Sequence, residues 1–333
     1  MLTKLWTGLD GKLAERLVLV LLSPAATFWS AGALARLDAL PSVGHWRTEL
    51  DEAGRQISAL PAAAQLLLVL GAIGLLTVSG SLVNALSLPA LRLMEGYWPG
   101  ILAGPRRILV DRQARRRASA ANRWRALLLR GEESLSPEET NEAIRLDHLV
   151  KRIPPTPAQQ MPTRLGNVLR AAESRPARKY GLDPVVCWPH LWLLLPDTVR
   201  EEIALARAAL DRAATWMIWG LLFLVWTPWS AWAVPLALVV LTLSYLSTLR
   251  AATAYADLVE AAWDLHRSAL YSALRWPLPD NPASEFAAGR AVTTYLRRGG
   301  RGPLPRFGQD PSEVAPPHGG APEETGNRRS LAG

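Results

Sequence analysis

A long stretch without any charged residue, between Arg212 and Arg250, constrains the fold of this chain more than any other feature. As one α-helix, residues 213–249 would be roughly 55 Å long at about 1.5 Å per residue, whereas the hydrocarbon core of a bilayer is about 30 Å thick. Pro228 and Pro235 interrupt the stretch, and neither can donate the main-chain hydrogen bond of a continuous helix. The stretch therefore predicts two membrane spans that form a helical hairpin.

Tryptophan side chains mark the turn of this hairpin. Trp226, Trp229 and Trp232 surround Pro228, and such aromatic side chains collect at membrane–water interfaces. The hairpin is therefore predicted over 212–249, with its turn at the membrane surface.

The first apolar block of the chain, from Leu17 to Ala35, is just long enough to cross a bilayer. It predicts a span over 16–36 after a short segment at 1–15. The alternative is a cleaved signal peptide, because Ala31-Gly32-Ala33 resembles the small-residue site at which such peptides are cut. Acidic residues in the leader favour a retained span.

The second apolar block lies between Pro61 and Pro89 and has no internal proline, so it predicts one long, tilted helix over 62–90. Weakly polar side chains lie along one face of this helix. Small residues permit close helix approach, so helix packing is one interpretation, and a pore-lining stripe is the other. The face comprises Gly74, Thr77, Ser81 and Asn84.

The distribution of lysine and arginine predicts the orientation of the spans. The loop at 37–61 is slightly acidic, whereas the insertion at 91–211 begins with many arginines. Because cytoplasmic loops carry the excess of positive charge, the insertion and both termini are predicted to lie in the cytoplasm. This arrangement suits a multi-pass protein of a bacterial inner membrane.

The most basic part of the insertion, residues 106–130, is predicted to be a helix. It is either a solvated face that only sets the topology or a contact with anionic lipids, which contributes about 1 kcal/mol per basic group. Nucleic acid is a less favoured partner, because no base-reading motif accompanies the arginines. The expected lipid contacts are Arg106, Arg107, Arg112, Arg115, Arg116 and Arg117.

Helix-start signals divide the rest of the insertion. Ser136-Pro137-Glu138-Glu139 predicts a helix to about Val150, and the prolines of 154–162 predict an extended linker. Asp197 with Glu201 predicts the cap of a helix that continues into the third span. The apolar run 188–196 is too short to cross a bilayer, which leaves packing against the spans and an interfacial or re-entrant position open.

The helix of the fourth span is predicted to extend past Arg250 into a cytoplasmic region at 250–298, followed by a disordered tail at 299–333. One face of this extension is acidic. It is expected to pair with arginines, and a cation site is the alternative. The face comprises Asp257, Glu260 and Asp264.

No catalytic constellation accompanies these helices. The chain has no nucleophile elbow, phosphate-binding loop or dinucleotide fingerprint. Its single cysteine, Cys187, lies in an apolar setting where a thiol is usually inert, and its five histidines are scattered. The sequence therefore predicts no enzyme, no cofactor and no metal ion.

Three segments of the chain are distinctive: Pro162–Glu173 with Tyr180–Asp183, Trp188–Leu191, and Asp264–Pro279. They resemble parts of uncharacterised bacterial, actinobacterial-type, polytopic membrane proteins, a family with no known activity. The resemblance implies a membrane protein and assigns no residue a role. The predicted topology alone is also similar to that of bestrophin-like channels, because both have two spans, an insertion, two further spans and a tail in that order.

These patterns together predict an all-α integral membrane protein with four transmembrane helices, two on each side of a helical cytoplasmic insertion. The expected role is a membrane anchor or scaffold subunit whose cytoplasmic domain binds a protein partner. The alternative is a homo-oligomeric ion channel or a membrane-permeabilising pore, and a lipid-modifying enzyme is the third possibility.

Overall fold

The computed structural model of the protein describes residues 23–38 and 46–300, which form ten α-helices and contain no β-strand within those ranges. The predicted segment 1–15, the start of the first predicted span and most of the predicted tail lie outside these residues. The helices are α1 (Pro24–Asp38), α2 (Trp46–Ala59), α3 (Ala62–Glu95), α4 (Ala103–Leu129), α5 (Pro137–Lys151), α6 (Arg164–Lys179), α7 (Pro184–Leu194), α8 (Asp197–Phe223), α9 (Ala233–Ala273) and α10 (Pro282–Arg298).

Three helical stretches among the described residues are long and apolar enough to cross a membrane: Ala62–Leu129, Asp197–Trp226 and Ala233–Ala273. Their length and composition support an all-α membrane protein. The apolar part of each stretch agrees with the second, third and fourth predicted spans. Helix α1 covers the described part of the predicted span 16–36 from Pro24 onwards.

The chain divides into two compact units. The first unit contains the described residues of Met1–Pro176 and Pro196–Trp263, and the second contains those of Ala177–Leu195 and Asp264–Gly333. Helices α6 and α9 contribute residues to both units.

Helices α8 and α9 of the first unit form a hairpin at the predicted position. A 3₁₀ turn over Leu224–Trp226 ends the first arm, and the main-chain N–H of Ser230 donates to the carbonyl oxygen of Trp226 at 3.1 Å. The Trp226 ring lies against Phe28 of α1, with 5.2 Å between ring centroids. The two arms approach closely at Gly220, where an added Cβ would lie 3.0 Å from Leu241.

Both arms of the hairpin continue as helices beyond the uncharged stretch. Helix α8 passes through Arg212 and α9 passes through Arg250 without a break. A buried apolar cluster joins these extensions to the end of α3 and to α6. Its members are Leu91, Leu165, Val168, Leu169, Ala172, Leu210, Ala214, Ala252 and Ala256.

Helix α3 is longer than the sequence predicted, because Pro89 lies inside it instead of ending it. A proline removes a single hydrogen bond from a helix, and burial of Leu91 in the apolar cluster favours continuation. The helix ends at Glu95, where Gly96 adopts a left-handed conformation with φ of 102° and donates its N–H to Arg92 and Leu93 carbonyls.

The two predicted helix starts differ in outcome. Helix α5 begins with a complete capping box, in which Ser136 accepts from the Glu139 N–H and the Glu139 carboxylate accepts from the Ser136 N–H. Helix α8 instead has Pro196 at its N-cap without a side-chain hydrogen bond. The prediction that Asp197 caps α8 is therefore wrong, since its carboxylate pairs with Arg200 in the first helical turn.

In the second unit, the apolar run 188–196 belongs mainly to α7, which packs against α10. Cys187 and Leu191 are its buried residues. The Cys187 sulfur lies 3.6 Å from the Thr293 hydroxyl, and burial raises the pKa of this thiol, which suits an unreactive side chain.

Candidate functional site

A cavity of about 300 Å³ lies among α4, α5, α6 and the end of the fourth predicted span, and we call it the basic cavity. Four of its lining side chains are arginines, and the described lining includes no aspartate or glutamate. The lining residues are Gln113, Arg116, Arg145, His148, Leu149, Arg152, Ile153, Arg164, Asn167, Val168 and Leu249.

Helical spacing brings these residues together. Gln113 and Arg116 are three residues apart on α4, and Arg145 lies three residues before His148 on α5. Side chains at this spacing lie on the same face of a helix. Three helices thus direct their polar faces towards one volume, although the residues are far apart in the chain.

The carboxyl end of α5 is held in place by two arginines from neighbouring helices. The Nε of Arg117 on α4 donates to the carbonyl oxygen of Ile153 at 3.0 Å, and the Nη2 of Arg175 on α6 donates to that of Lys151 at 2.8 Å. The last carbonyls of a helix lack partners within the helix, and cations are favourable there. These two bonds fix the backbone on both sides of Arg152, which lines the basic cavity.

A buried amide fixes the turn that leads into α6. Asn167 is 1% exposed. Its Oδ1 accepts from the Met161 N–H at 2.8 Å, and its Nδ2 donates to the carbonyl oxygens of Met161 and Thr163 at 2.8 and 3.0 Å. The linker at 154–162 is therefore not a simple extended segment, because it contains a 3₁₀ turn over Pro157–Gln159 and ends in this network. The network positions Arg164 at the first turn of α6.

The same turn joins α6 to the end of α3. The Thr163 hydroxyl accepts from the Gly166 N–H at 3.0 Å and donates to the Glu95 carbonyl oxygen at 2.9 Å. Glycine is required at 166, because an added Cβ would lie 1.9 Å from that oxygen. The start of the Pro162–Glu173 segment thus packs directly against the end of the helix of the second predicted span.

Several arginines of the first unit pair with glutamates, whereas three arginines of the basic cavity do not. Arg123 pairs with Glu142 at 3.1 Å, and Arg130 pairs with Glu139. In contrast, the exposed guanidinium groups of Arg116, Arg152 and Arg164 make no ion pair or hydrogen bond with another residue in 23–38 or 46–300. The basic cavity therefore concentrates positive charge without a carboxylate in its described lining, and of these three arginines Arg152 also lines a second cavity that contains Asp257 and Glu260.

The predicted lipid-contacting arginines take different positions. Arg116 lines the basic cavity, and Arg117 holds the end of α5. The remaining four are exposed on α4. The sequence reasoning missed Arg145, His148, Arg152 and Arg164. Their spacing on α5 was a local signal for Arg145 and His148 alone. The exposed four are Arg106, Arg107, Arg112 and Arg115.

The acidic face of α9 has basic neighbours. Glu260 pairs with Arg175, and Asp257 is exposed. Both carboxylates line a second cavity of about 250 Å³, which also contains His148, Lys151 and Arg152. In the described residues no three His, Cys, Asp or Glu side chains lie together so as to hold a metal ion. Both carboxylates thus have the basic neighbours that the ion-pair interpretation expects, and the cation-site alternative stays a prediction.

In the second unit, Asp264 accepts two hydrogen bonds. The Lys179 ammonium donates to Oδ2 at 2.8 Å, and the Tyr180 hydroxyl donates to Oδ1 at 2.6 Å. The Arg267 guanidinium lies over the Tyr180 ring, 4.2 Å from its centroid, and pairs with Glu285. Asp264 is thus an ion-pair residue in this unit.

The weakly polar face of α3 does not pack within the described chain. An added Cβ at Gly74 meets nothing within 4 Å, and the Thr77 hydroxyl donates to the Ile73 carbonyl of its own helix. The face that does pack carries Leu76 and Val83, against Phe28, Trp219 and Phe223 of α1 and α8. The described residues therefore leave this face uncovered, and its helix-packing and pore-lining interpretations both stay predictions. Its exposed members are Gly74, Thr77, Ser81 and Asn84.

Comparisons with family models, with curated proteins and with solved structures gave no match for this chain.

Proposed function

We propose that this protein is a membrane anchor and scaffold subunit that presents a helical cytoplasmic domain to a protein partner. In this proposal four helices cross a bacterial inner membrane, with both termini in the cytoplasm. The arginine-rich insertion supports this orientation, because cytoplasmic connections carry the excess of positive charge.

The continuity of α8 and α9 is the observation that carries the proposal. Both helices leave the uncharged hairpin and enter the soluble part without a break at Arg212 or Arg250. Their extensions share a buried apolar cluster with α3 and α6. A domain attached in this way is held rigidly at the bilayer, which suits a scaffold better than a tether.

The pair of helices α4 and α5 supplies a surface suited to a partner. Two Arg–Glu ion pairs and the capping box stabilise the pair. At its loop end, Leu128 and Leu129 are adjacent and 42% and 88% exposed. Adjacent exposed leucines on a stable element are suited to binding the apolar side chains of another protein.

Co-purification of the full-length protein from membranes of its host tests the proposal. The wild-type protein is compared with Leu128→Ser/Leu129→Ser and with an unrelated multi-pass membrane protein. We expect a soluble protein that the wild type retains and the double variant loses. Recovery of nothing beyond the unrelated control would overturn the scaffold, and equal recovery by wild type and variant would overturn this surface.

An oligomeric channel or membrane-permeabilising pore is the second candidate, and the exposed face of α3 favours it. The Asn84 amide makes no hydrogen bond with another side chain in the described residues, and an unpaired amide at membrane depth is costly unless it meets water or a second subunit. Ion flux through liposomes containing the purified protein, with Asn84→Leu as the comparison, tests this candidate. Flux that Asn84→Leu changes supports a pore, whereas no flux from the wild type counts against it.

A further inference from the structure

We propose that the basic cavity binds a phosphate group of an anionic ligand, and that the headgroup of an anionic membrane phospholipid supplies it. This inference goes beyond the proposed function, because neither a scaffold nor a pore requires a ligand in this cavity.

The charge distribution is the first argument. Arg116, Arg152 and Arg164 surround one volume, and no carboxylate lies among its described lining residues. Elsewhere in the same unit, Arg123 and Arg175 each pair with a glutamate. Like charges around a common volume repel one another, and a bound anion converts this repulsion into attraction. An anion is therefore the class of ligand that this cavity favours.

The arginines are also held in position before any ligand arrives. Hydrogen bonds from Arg117 and Arg175 fix the backbone on both sides of Arg152, and the Asn167 network fixes the turn before Arg164. A guanidinium group presents paired N–H donors that match two phosphate oxygens. Because the backbone is already ordered, binding loses less conformational entropy than it would on flexible loops.

The volume and the apolar part of the lining favour a lipid over a bare ion. About 300 Å³ is at the lower end of the range for small-molecule sites and exceeds what a phosphate ion fills. Leu149, Val168 and Leu249 line the same cavity, and their side chains suit the glycerol and ester part of a phospholipid.

The position of the cavity along the fourth predicted span agrees with this ligand. Leu249 is the last residue of the uncharged stretch, and Arg250 follows it. The cavity therefore lies at the level where this span is expected to leave the hydrocarbon, which is the level of phospholipid headgroups.

Binding to the full-length protein in a neutral detergent tests the proposal. Phosphatidylglycerol is added and its retention is measured by native mass spectrometry, while binding of inorganic phosphate is measured by calorimetry. The cavity variant is Arg152→Gln/Arg164→Gln. The matched control is Arg290→Gln/Arg298→Gln, which removes the same charge from exposed positions of α10 outside the cavity.

We expect the cavity variant to weaken phosphatidylglycerol binding about thirtyfold, since each basic group near an anionic lipid contributes about 1 kcal/mol and about 1.4 kcal/mol is a tenfold change. The control variant should change it less than about threefold. A second outcome is that only the cavity variant loses binding of inorganic phosphate, while lipid binding is unchanged in both variants. This would support a phosphate site but contradict the lipid, and would indicate a soluble phosphate compound as the ligand. Equal effects of the two variants on both probes, or no binding by the wild type, would overturn the proposal.

Discussion

The Thr163 hydroxyl donates a hydrogen bond of 2.9 Å to the carbonyl oxygen of Glu95, which joins the start of α6 to the end of α3. Glu95 is the last residue of its helix, and the final carbonyls of a helix need partners from outside it. Because α3 is also the helix of the second predicted span, this bond connects that helix directly to a helix outside the predicted spans.

Gly166→Ala should weaken this connection strongly. The new Cβ would lie 1.9 Å from the Glu95 oxygen, and main-chain atoms move less readily than the end of a side chain. We expect a loss of about 3 kcal/mol in the free energy of unfolding, at the upper end for added core volume. Thermal unfolding of the purified protein in detergent measures it.

The control for this prediction is Gly104→Ala on α4, where an added Cβ meets nothing within 4 Å. It should be neutral or stabilising by about 0.5 kcal/mol, because alanine favours a helix over glycine. Equal unfolding temperatures for the two variants would show that α3 and α6 do not approach as closely as described.

Asn167→Ala should be among the most destabilising amide replacements in the first unit. It leaves the buried N–H and carbonyl of Met161 without their partner, and each such buried group costs about 1–3 kcal/mol. We expect a loss of about 3 kcal/mol in chemical denaturation. Asn141→Ala, at an exposed position of α5, should have little effect, and a similar loss for both would contradict the network.

Local features of the fold were accessible from the sequence. The prolines and tryptophans of the hairpin indicated its turn, and Ser136 with Glu139 indicated the start of α5. These signals act within a few residues, so no tertiary context is needed to interpret them. Asp197 shows the limit of such signals. An aspartate at a helix start can cap the helix, but it can also pair with a basic side chain one turn further along, as Asp197 does with Arg200.

The basic cavity was not accessible in this way. Arg116, Arg152 and Arg164 come from separate helices, and only packing of α4, α5 and α6 brings them together. The packing face of α3 has the same origin. Small and polar residues suit a helix contact, a pore or an exposed surface equally well. The face of α3 that carries Val83, and not the face that carries Ser81, is buried because Phe28 and Trp219 pack against it, and both are distant in sequence.

Two tyrosines of the second unit should respond in opposite directions to removal of their hydroxyl groups. The Tyr271 side chain is 1% exposed, and its hydroxyl has no hydrogen-bond partner among the described residues. Tyr271→Phe should therefore be neutral or stabilise by about 1 kcal/mol, because a buried polar group without a partner is costly.

Tyr180→Phe provides the contrast, because it removes the 2.6 Å hydrogen bond to Asp264. It should destabilise by about 1–2 kcal/mol, as expected for a bond to a charged acceptor. Chemical denaturation of both variants checks the pair. Destabilisation by Tyr271→Phe would indicate a partner for its hydroxyl.

The ion pair of Asp264 should make stability depend on pH at both extremes. Burial opposes ionisation of this carboxyl, but hydrogen bonds from Lys179 and Tyr180 outweigh it and lower its pKa below the usual 3.8. Because its pKa is lower in the folded state, Asp264 contributes its full stabilisation at any pH above its pKa in the unfolded chain. This contribution is lost as the pH falls through its pKa in the folded protein. The hydrogen bond to Asp264 raises the pKa of Lys179 above 10.5, and that contribution is lost as the pH rises through the folded value.

Asp264→Asn should therefore lower the unfolding temperature most at intermediate pH. The difference from wild type should begin to shrink as the pH falls below about 4 or rises above about 11, because Asp264 then increasingly gains a proton or Lys179 increasingly loses one. Thermal unfolding between pH 3 and pH 12 measures it, with Asp257→Asn at an exposed position of the same helix as the control. A difference that stays constant across this range would show that Asp264 contributes through packing alone.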